Sequence, residues 1–430
     1  MDDAAVSAPP SLASPAALAA ALRALAARPT DHGAWLVLAA QLGALGFVDD
    51  AERVFGIVGQ SGLRGGQVAL AVACGRLLAQ RGNMRGPELL EDVAAAYCRG
   101  SELVSDDAVP APHADAVELS TGVTIDDTID DTIDEGAGVE AQVASVRLAL
   151  EVLEPVATRG ASDSGSKLPT APLLSSLPLA GARALIGVMT ARTAPAGEIL
   201  VEVGQPATSL YWLAYGDVAV SRDGVTLGEL HGGGFFGEIA LVGGTTRTAQ
   251  VVARSDVWLL EIPARAVEAA AQKHPQLAAV LAAHAKARLL ANLMRTSELF
   301  RELPAADLGA LLEKFSSEIV EAGTRIIAEG KPNAHLWVVV AGRCDVQSAG
   351  TEMARLGPGA AVGEISLVSG KPAVADVVAV ERSVLLRLSR EDFRAQVAHH
   401  PELLERVESL VVAREEANRA LFHDASDLLV

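Results

Sequence analysis

The sequence predicts an α+β chain: an all-α helical-repeat region followed by two tandem antiparallel β-barrels of jelly-roll type, each with flanking helices. Three observations predict it. First, one glycine frame occurs twice, offset by 126 positions without insertion or deletion: Gly197, Gly204, Gly216 and Gly237 correspond to Gly323, Gly330, Gly342 and Gly363. Second, each copy opens with an apolar helical segment (Leu174 to Met189; Phe300 to Phe315) at Leu177-Pro178 or Leu303-Pro304. It then alternates β-branched or aromatic residues with glycine turns, and closes on an alanine- and leucine-rich helix begun by His274-Pro275 or His400-Pro401. Third, the residues before the repeats carry helical periodicity rich in alanine.

The chain of 430 residues is long enough for about three domains. Half of it is apolar, yet no apolar run approaches the ~20 residues of a membrane span. Met1 to Ala8 is acidic and small, without the basic and apolar regions of a signal peptide, so a cytoplasmic protein is expected. Cys74, Cys98 and Cys344 are scattered and odd in number, which suits small core residues better than a disulfide framework or a metal cluster. The formal charge is −19, and residues 101–140 hold twelve Asp or Glu and no Lys or Arg. A basic footprint for DNA is absent, and nucleic-acid phosphates would be repelled.

In chain order, residues 1–14 are expected to be disordered and 15–101 to form the helical domain. There Trp35, Leu38, Ala39, Leu42, Ala51 and Phe55 stand at the spacing of a tetratricopeptide repeat, with a degraded second unit from about Gln67. A plain alanine-rich bundle is the alternative. Residues 102–172 form an acidic and Ser-Gly-Pro linker with a short apolar helix near Val143 to Val156. Its Thr-Ile-Asp repeats at 124–135 suit a solvated spacer; calcium binding or a phosphorylated docking tail are the other options, although no glycine supplies the turn of a calcium loop. The first barrel domain spans 173–295, the second 296–415, and a tail 416–430.

The chemistry concentrates in Gly237-Glu238-Ile239-Ala240 followed by Arg247-Thr248-Ala249. Gly237 lets backbone approach a ligand closely. The residues after it start a helical turn with outward N–H groups that favour an anion. Arg247 offers a planar charged fork suited to phosphate. Glu238 would repel phosphate unless it accepts a hydrogen bond from a hydroxyl. A ligand with one phosphate and an adjacent sugar hydroxyl satisfies all four. The second copy keeps Gly363, Glu364 and Ser366, but Ala373 stands where the arginine should be.

These residues closely resemble the phosphate-binding cassette of the cyclic nucleotide-binding domain family, and the resemblance covers both repeats. It implies that Glu238 accepts the ribose 2′-OH, that Arg247 pairs with the cyclic phosphate, and that the Gly237 and Ala240 N–H groups complete the cradle. Thr248 is compatible with cGMP as well as cAMP. It also implies a degenerate second site around Gly363, Glu364, Ser366 and Ala373, since losing the charged partner of a buried phosphate costs roughly 2–5 kcal/mol.

The expected function is therefore a cyclic-nucleotide-responsive adaptor that holds an unknown protein partner through its N-terminal helices. The alternative is a ligand-free scaffold that uses both barrels as interaction surfaces. The tandem arrangement resembles the regulatory subunit of cAMP-dependent protein kinase, but residues 101–172 lack the paired arginines of its inhibitor segment. Single barrels of catabolite activator type precede a DNA-binding domain, and residues 413–430 are too few and too acidic for one. No catalytic or metal-ligand constellation emerges: the histidines are scattered, and no Gly-Lys-Ser/Thr follows Gly232-Gly233-Gly234. An enzyme is not expected.

Overall fold

A computed structural model describes residues 13–105, 138–158, 167–222, 224–296 and 314–399, with 405, 408–409 and 411–412. The expected N-terminal disorder up to residue 12, the Thr-Ile-Asp repeats, Leu303-Pro304, the His400-Pro401 pair and the tail from 413 lie outside the described residues.

Five helices come first: α1 (Pro15–Ala27), α2 (His32–Ala44), α3 (Val48–Gly65), α4 (Val68–Gln80) and α5 (Arg85–Tyr97). Their ends follow local chemistry. The Ser14 hydroxyl accepts from the Ala17 N–H at 3.1 Å ahead of Pro15, and the Asp31 carboxylate accepts from the Gly33 N–H at 2.8 Å. All six signature positions, Trp35, Leu38, Ala39, Leu42, Ala51 and Phe55, are buried. After β1 (Val104–Ser105), helix α6 (Val139–Ala157) packs back on α1 and α3. Arg147 forks onto the Asp50 carboxylate at 2.8 and 2.7 Å, and Arg53 reaches Glu154 at 3.1 Å. Much of residues 138–158 is thus part of the helical layer. Strand β2 (Leu168–Pro169) then pairs in parallel with β1, and α7 (Pro172–Ser175) and α8 (Leu179–Val188) lead into the first barrel.

Barrel one contains β3 (Thr190–Ala194), β4 (Ile199–Val201), β5 (Ser209–Tyr215), β6 (Asp217–Arg222), β7 (Val225–His231), β8 (Phe235–Phe236), α9 (Glu238–Gly243), β9 (Gln250–Ala253), β10 (Val257–Pro263), α10 (Ala264–Lys273) and α11 (Pro275–Thr296). Barrel two repeats the set with β11 (Ser316–Val320), β12 (Arg325–Ile327), β13 (His335–Ala341), β14 (Cys344–Ser348), β15 (Thr351–Leu356), β16 (Ala361–Val362), α12 (Glu364–Ser369), β17 (Asp376–Ala379), β18 (Ser383–Ser389) and α13 (Arg390–His399). Each barrel is two four-stranded antiparallel sheets, in the orders β3-β10-β5-β8 and β4-β9-β6-β7, then β11-β18-β13-β16 and β12-β17-β14-β15. The second pair of orders is the first translated along the chain, as the 126-residue frame predicts.

Strand β5 shows why the barrels bury so much with so few aromatics. Tyr211 and Leu213 point into the barrel, while Leu210, Trp212 and Ala214 join the core of the N-terminal helices. Being buried on both faces, it is apolar almost without interruption. Strand β13 divides likewise, with Trp337 and Val339 inside and Leu336, Val338 and Val340 outside.

The helical layer is not a separate bead. Helix α4, apolar but for Arg76 and Gln80, is covered by α3 and α5 on one side and by β3, β5 and β10 on the other. Phe55 meets Trp258 with ring centroids 5.4 Å apart. Cys74 sits in this core and Cys344 in that of barrel two, whereas Cys98 is only half-buried, at the end of α5. No helix of the described residues is long and apolar enough to cross a membrane.

Because Phe55 belongs to a core shared by two layers, Phe55→Ala is expected to cost about 3–5 kcal/mol. The urea midpoints of helix signal and tryptophan fluorescence should fall together. A shift confined to one probe would show that the layers unfold independently.

Candidate functional site

The site lies where β8 turns into α9. Gly237 adopts φ +94°, and a Cβ there would run into Arg247 Nη1, so only glycine fits the bend. The bend drops Glu238 into the barrel and leaves the short helix end over a cavity of about 220 Å³. Gly237, Glu238, Ile239, Ala240, Arg247, Thr248 and Ala249 all line this one cavity.

Arg247 is 5% exposed. Its Nη1 donates to the Gly237 carbonyl at 3.2 Å and its Nη2 to the Ser209 carbonyl at 2.6 Å, while the guanidinium lies 5.6 Å from the Tyr211 ring centroid. Tyr211 in turn stacks on Phe236 at 5.2 Å. The guanidinium thus bridges β5 to the cassette. These two bonds use two of its five donors, so capacity for an anion remains. Burial pushes its pKa down from the ordinary value, against the pull of Tyr211 and Glu238.

Glu238 is 1% exposed, and neither carboxylate oxygen has a hydrogen-bond partner among the described residues. It does not pair with Arg247. Its nearest cation is Arg288 Nη1 at 3.4 Å, on α11. Burial pushes its carboxyl pKa up, opposed first by Arg288. A buried acceptor without a donor is costly, and a hydroxyl donor delivered by a ligand would remove that cost.

Helix α11 supplies what the sequence reading missed. Arg288 and Asn292 line the cavity, and one turn before Arg288, His284 packs on Phe235 at 4.7 Å. Arg288 lies 5.9 Å from the same ring. The available signal was polar residues at 284, 288 and 292, one face of an otherwise alanine- and leucine-rich helix.

In barrel two, Gly363 takes φ +89°, and Glu364, Ser366 and Ala373 are buried. The backbone keeps the register of barrel one. The Gly330 N–H donates to the Ala373 carbonyl at 2.8 Å and the Ala373 N–H to Lys331 at 2.9 Å; in barrel one the Gly204 N–H donates to Arg247 at 2.9 Å and the Arg247 N–H to Gln205 at 2.8 Å. What differs is the side chain.

Residues 191–274 and 318–400 match the cyclic nucleotide-binding domain family, and the chain carries two such domains in tandem behind its helical layer. It is similar to the cGMP-dependent protein kinase egl-4 of Caenorhabditis briggsae, 27% identical over 216 residues, covering 49% of this chain and 28% of that protein. It is also similar to the cAMP-dependent protein kinase regulatory subunit of Yarrowia lipolytica, 24% identical over 263 residues, covering 60% of this chain and 65% of that protein. The chain therefore spans less than two thirds of the length of either relative. Among solved structures it matches the regulatory domain of Toxoplasma gondii PKA with cAMP, at 21% identity and a TM-score of 0.26, covering 57% of this chain and 92% of the other.

The buried carboxyl makes stability depend on pH. Native Glu238 holds its proton more tightly than the unfolded chain does. Its contribution is therefore full below pH 4.5, the usual value, and is lost as pH rises through the elevated native value. Glu238→Gln should gain thermal stability relative to wild type as pH rises from 4.5, in nucleotide-free protein. A difference that stays constant with pH would show that the native carboxyl titrates normally.

Proposed function

We propose that this protein is a non-enzymatic, cyclic-nucleotide-responsive adaptor whose first barrel binds cAMP or cGMP. The observation that supports it best is the pairing of opposites in one cavity: a buried guanidinium with donors to spare, and a buried carboxylate lacking hydrogen-bond donors, on either side of the Gly237 turn. Arg247 would take the cyclic phosphate together with the Gly237 and Ala240 N–H groups. Glu238 would accept the ribose hydroxyl, a role in which Arg288 now faces it. A ligand can bias the protein only by its differential affinity for two arrangements. The groups at hand to differ are Arg288 and Asn292 on α11, and barrel two, whose Arg382 donates to the Gly243 carbonyl at 3.1 Å, at the far end of α9.

The helical layer is proposed as the partner-holding part, with tetratricopeptide-like helix pairs. Barrel one takes one face of such a stack and α6 covers part of α1 and α3, so a partner would dock on the helical surface that these two leave exposed. The expected site of action is the cytoplasm.

Calorimetry of the full chain with cAMP and with cGMP tests the reading; the intact chain is needed because barrel one shares its core with the helices. We expect micromolar binding of one nucleotide per chain. Arg247→Ala should weaken it about 30- to several-thousand-fold, the equivalent of roughly 2–5 kcal/mol. A scaffold without ligand is the second reading, favoured by the two backbone bonds that Arg247 already makes. Absence of heat with both nucleotides would establish it.

A further inference from the structure

In barrel two, the carbonyls equivalent to those that Arg247 serves are reached by a side chain remote in sequence from Ala373. In barrel one, Arg247 donates to the carbonyls of Gly237 and Ser209. Their counterparts 126 residues on are Gly363 and His335. Both are contacted by one amide: Asn333 Nδ2 lies 3.3 Å from the Gly363 carbonyl and 2.7 Å from that of His335. Asn333 is 8% exposed, and its own Oδ1 accepts from the His335 N–H at 3.2 Å. Its counterpart in barrel one is Ala207, which has no such group to offer.

A second group holds the same turn. Arg390, at the start of α13, donates through Nη2 to the carbonyls of Asn333 at 2.8 Å and Ser366 at 3.1 Å. Its counterpart is Ala264, and the backbone there is the same in both barrels: the Ala264 N–H donates to Thr208 and the Arg390 N–H to Ala334, each at 2.8 Å. The two side chains are therefore additions to an unchanged frame.

We propose that Asn333, supported by Arg390, is a built-in substitute for the arginine: it closes the second cassette with a neutral amide, so that barrel two stays formed without nucleotide and excludes it. The Gly363 and His335 carbonyls are both satisfied by the one amide. The amide itself presents no permanent charge to a phosphate, and the Arg390 Nη2 is engaged by the Asn333 and Ser366 carbonyls. The assignment rests on geometry in barrel two alone and stands whether or not barrel one binds a nucleotide.

Two measurements on the full-length chain test it. Hydrogen exchange of amides 363–370 should be unchanged by saturating cAMP or cGMP in wild type. It should accelerate tenfold or more in Asn333→Ala, while amides 237–243 stay as they were. Calorimetry with the same nucleotides should find no added site in Ala373→Arg, because the carbonyls are already taken. It should find one added site in Asn333→Ala/Ala373→Arg. The added site reads as one to two per chain if barrel one binds and as none to one if it does not, so the two readings fail separately. Unchanged exchange in Asn333→Ala, or an added site in Ala373→Arg alone, overturns the proposal. A folded double variant that gains no site overturns it too; if that variant does not fold, the exchange result decides.

Discussion

Two backbone carbonyls at the mouth of each barrel must be satisfied, and how they are satisfied sets the character of the domain. They belong to the first residue of the long strand and to the left-handed glycine before the short helix: Ser209 and Gly237, or His335 and Gly363. Each fold supplies a side-chain donor to them. Barrel one uses a guanidinium, which carries a charge and further donors into the cavity. Barrel two uses a carboxamide, which stops there. On the proposed reading, the same structural demand met by two chemistries separates a pocket fit for an anion from a closed one.

The carboxylates at Glu238 and Glu364 are buried in both copies, and the first is held beside Arg288, a cation of the following helix. Glu238 pays for its position in desolvation, which burial registers as a raised carboxyl pKa. That arrangement is easier to reconcile with a site that receives a donor than with a purely structural pair. At 3.4 Å from Arg288 and without a hydrogen bond, the carboxylate is poorly served by the chain itself.

Around this site the molecule is coupled on two sides. Strand β5 packs Tyr211 behind Phe236 and Arg247 of the cavity wall and presents Trp212 to the N-terminal helices, so neighbouring residues of one strand touch the pocket wall and the helical core. Arg382 of barrel two rests on the end of α9, and Arg222 of barrel one donates to the Pro358 carbonyl of barrel two at 3.1 Å. Packed interiors shift between discrete arrangements more readily than they deform smoothly. A change at Gly237 thus has short physical routes to both neighbours.

The sequence by itself determined the two barrels, their common register and the place of the cassette. Turn glycines, two-residue strand periodicity and the Gly-Glu spacing are local demands of backbone and side chain, and local demands survive in the letters. It also determined that the second copy lacked its arginine. Only the tertiary structure decided the rest. Arg288 comes from a helix fifty residues beyond Glu238, Asn333 from a turn forty residues before Ala373, and α4 finds its cover on the face of barrel one. Those choices depend on which surfaces meet after the chain has folded, and a partner chosen through space leaves no periodicity along the chain.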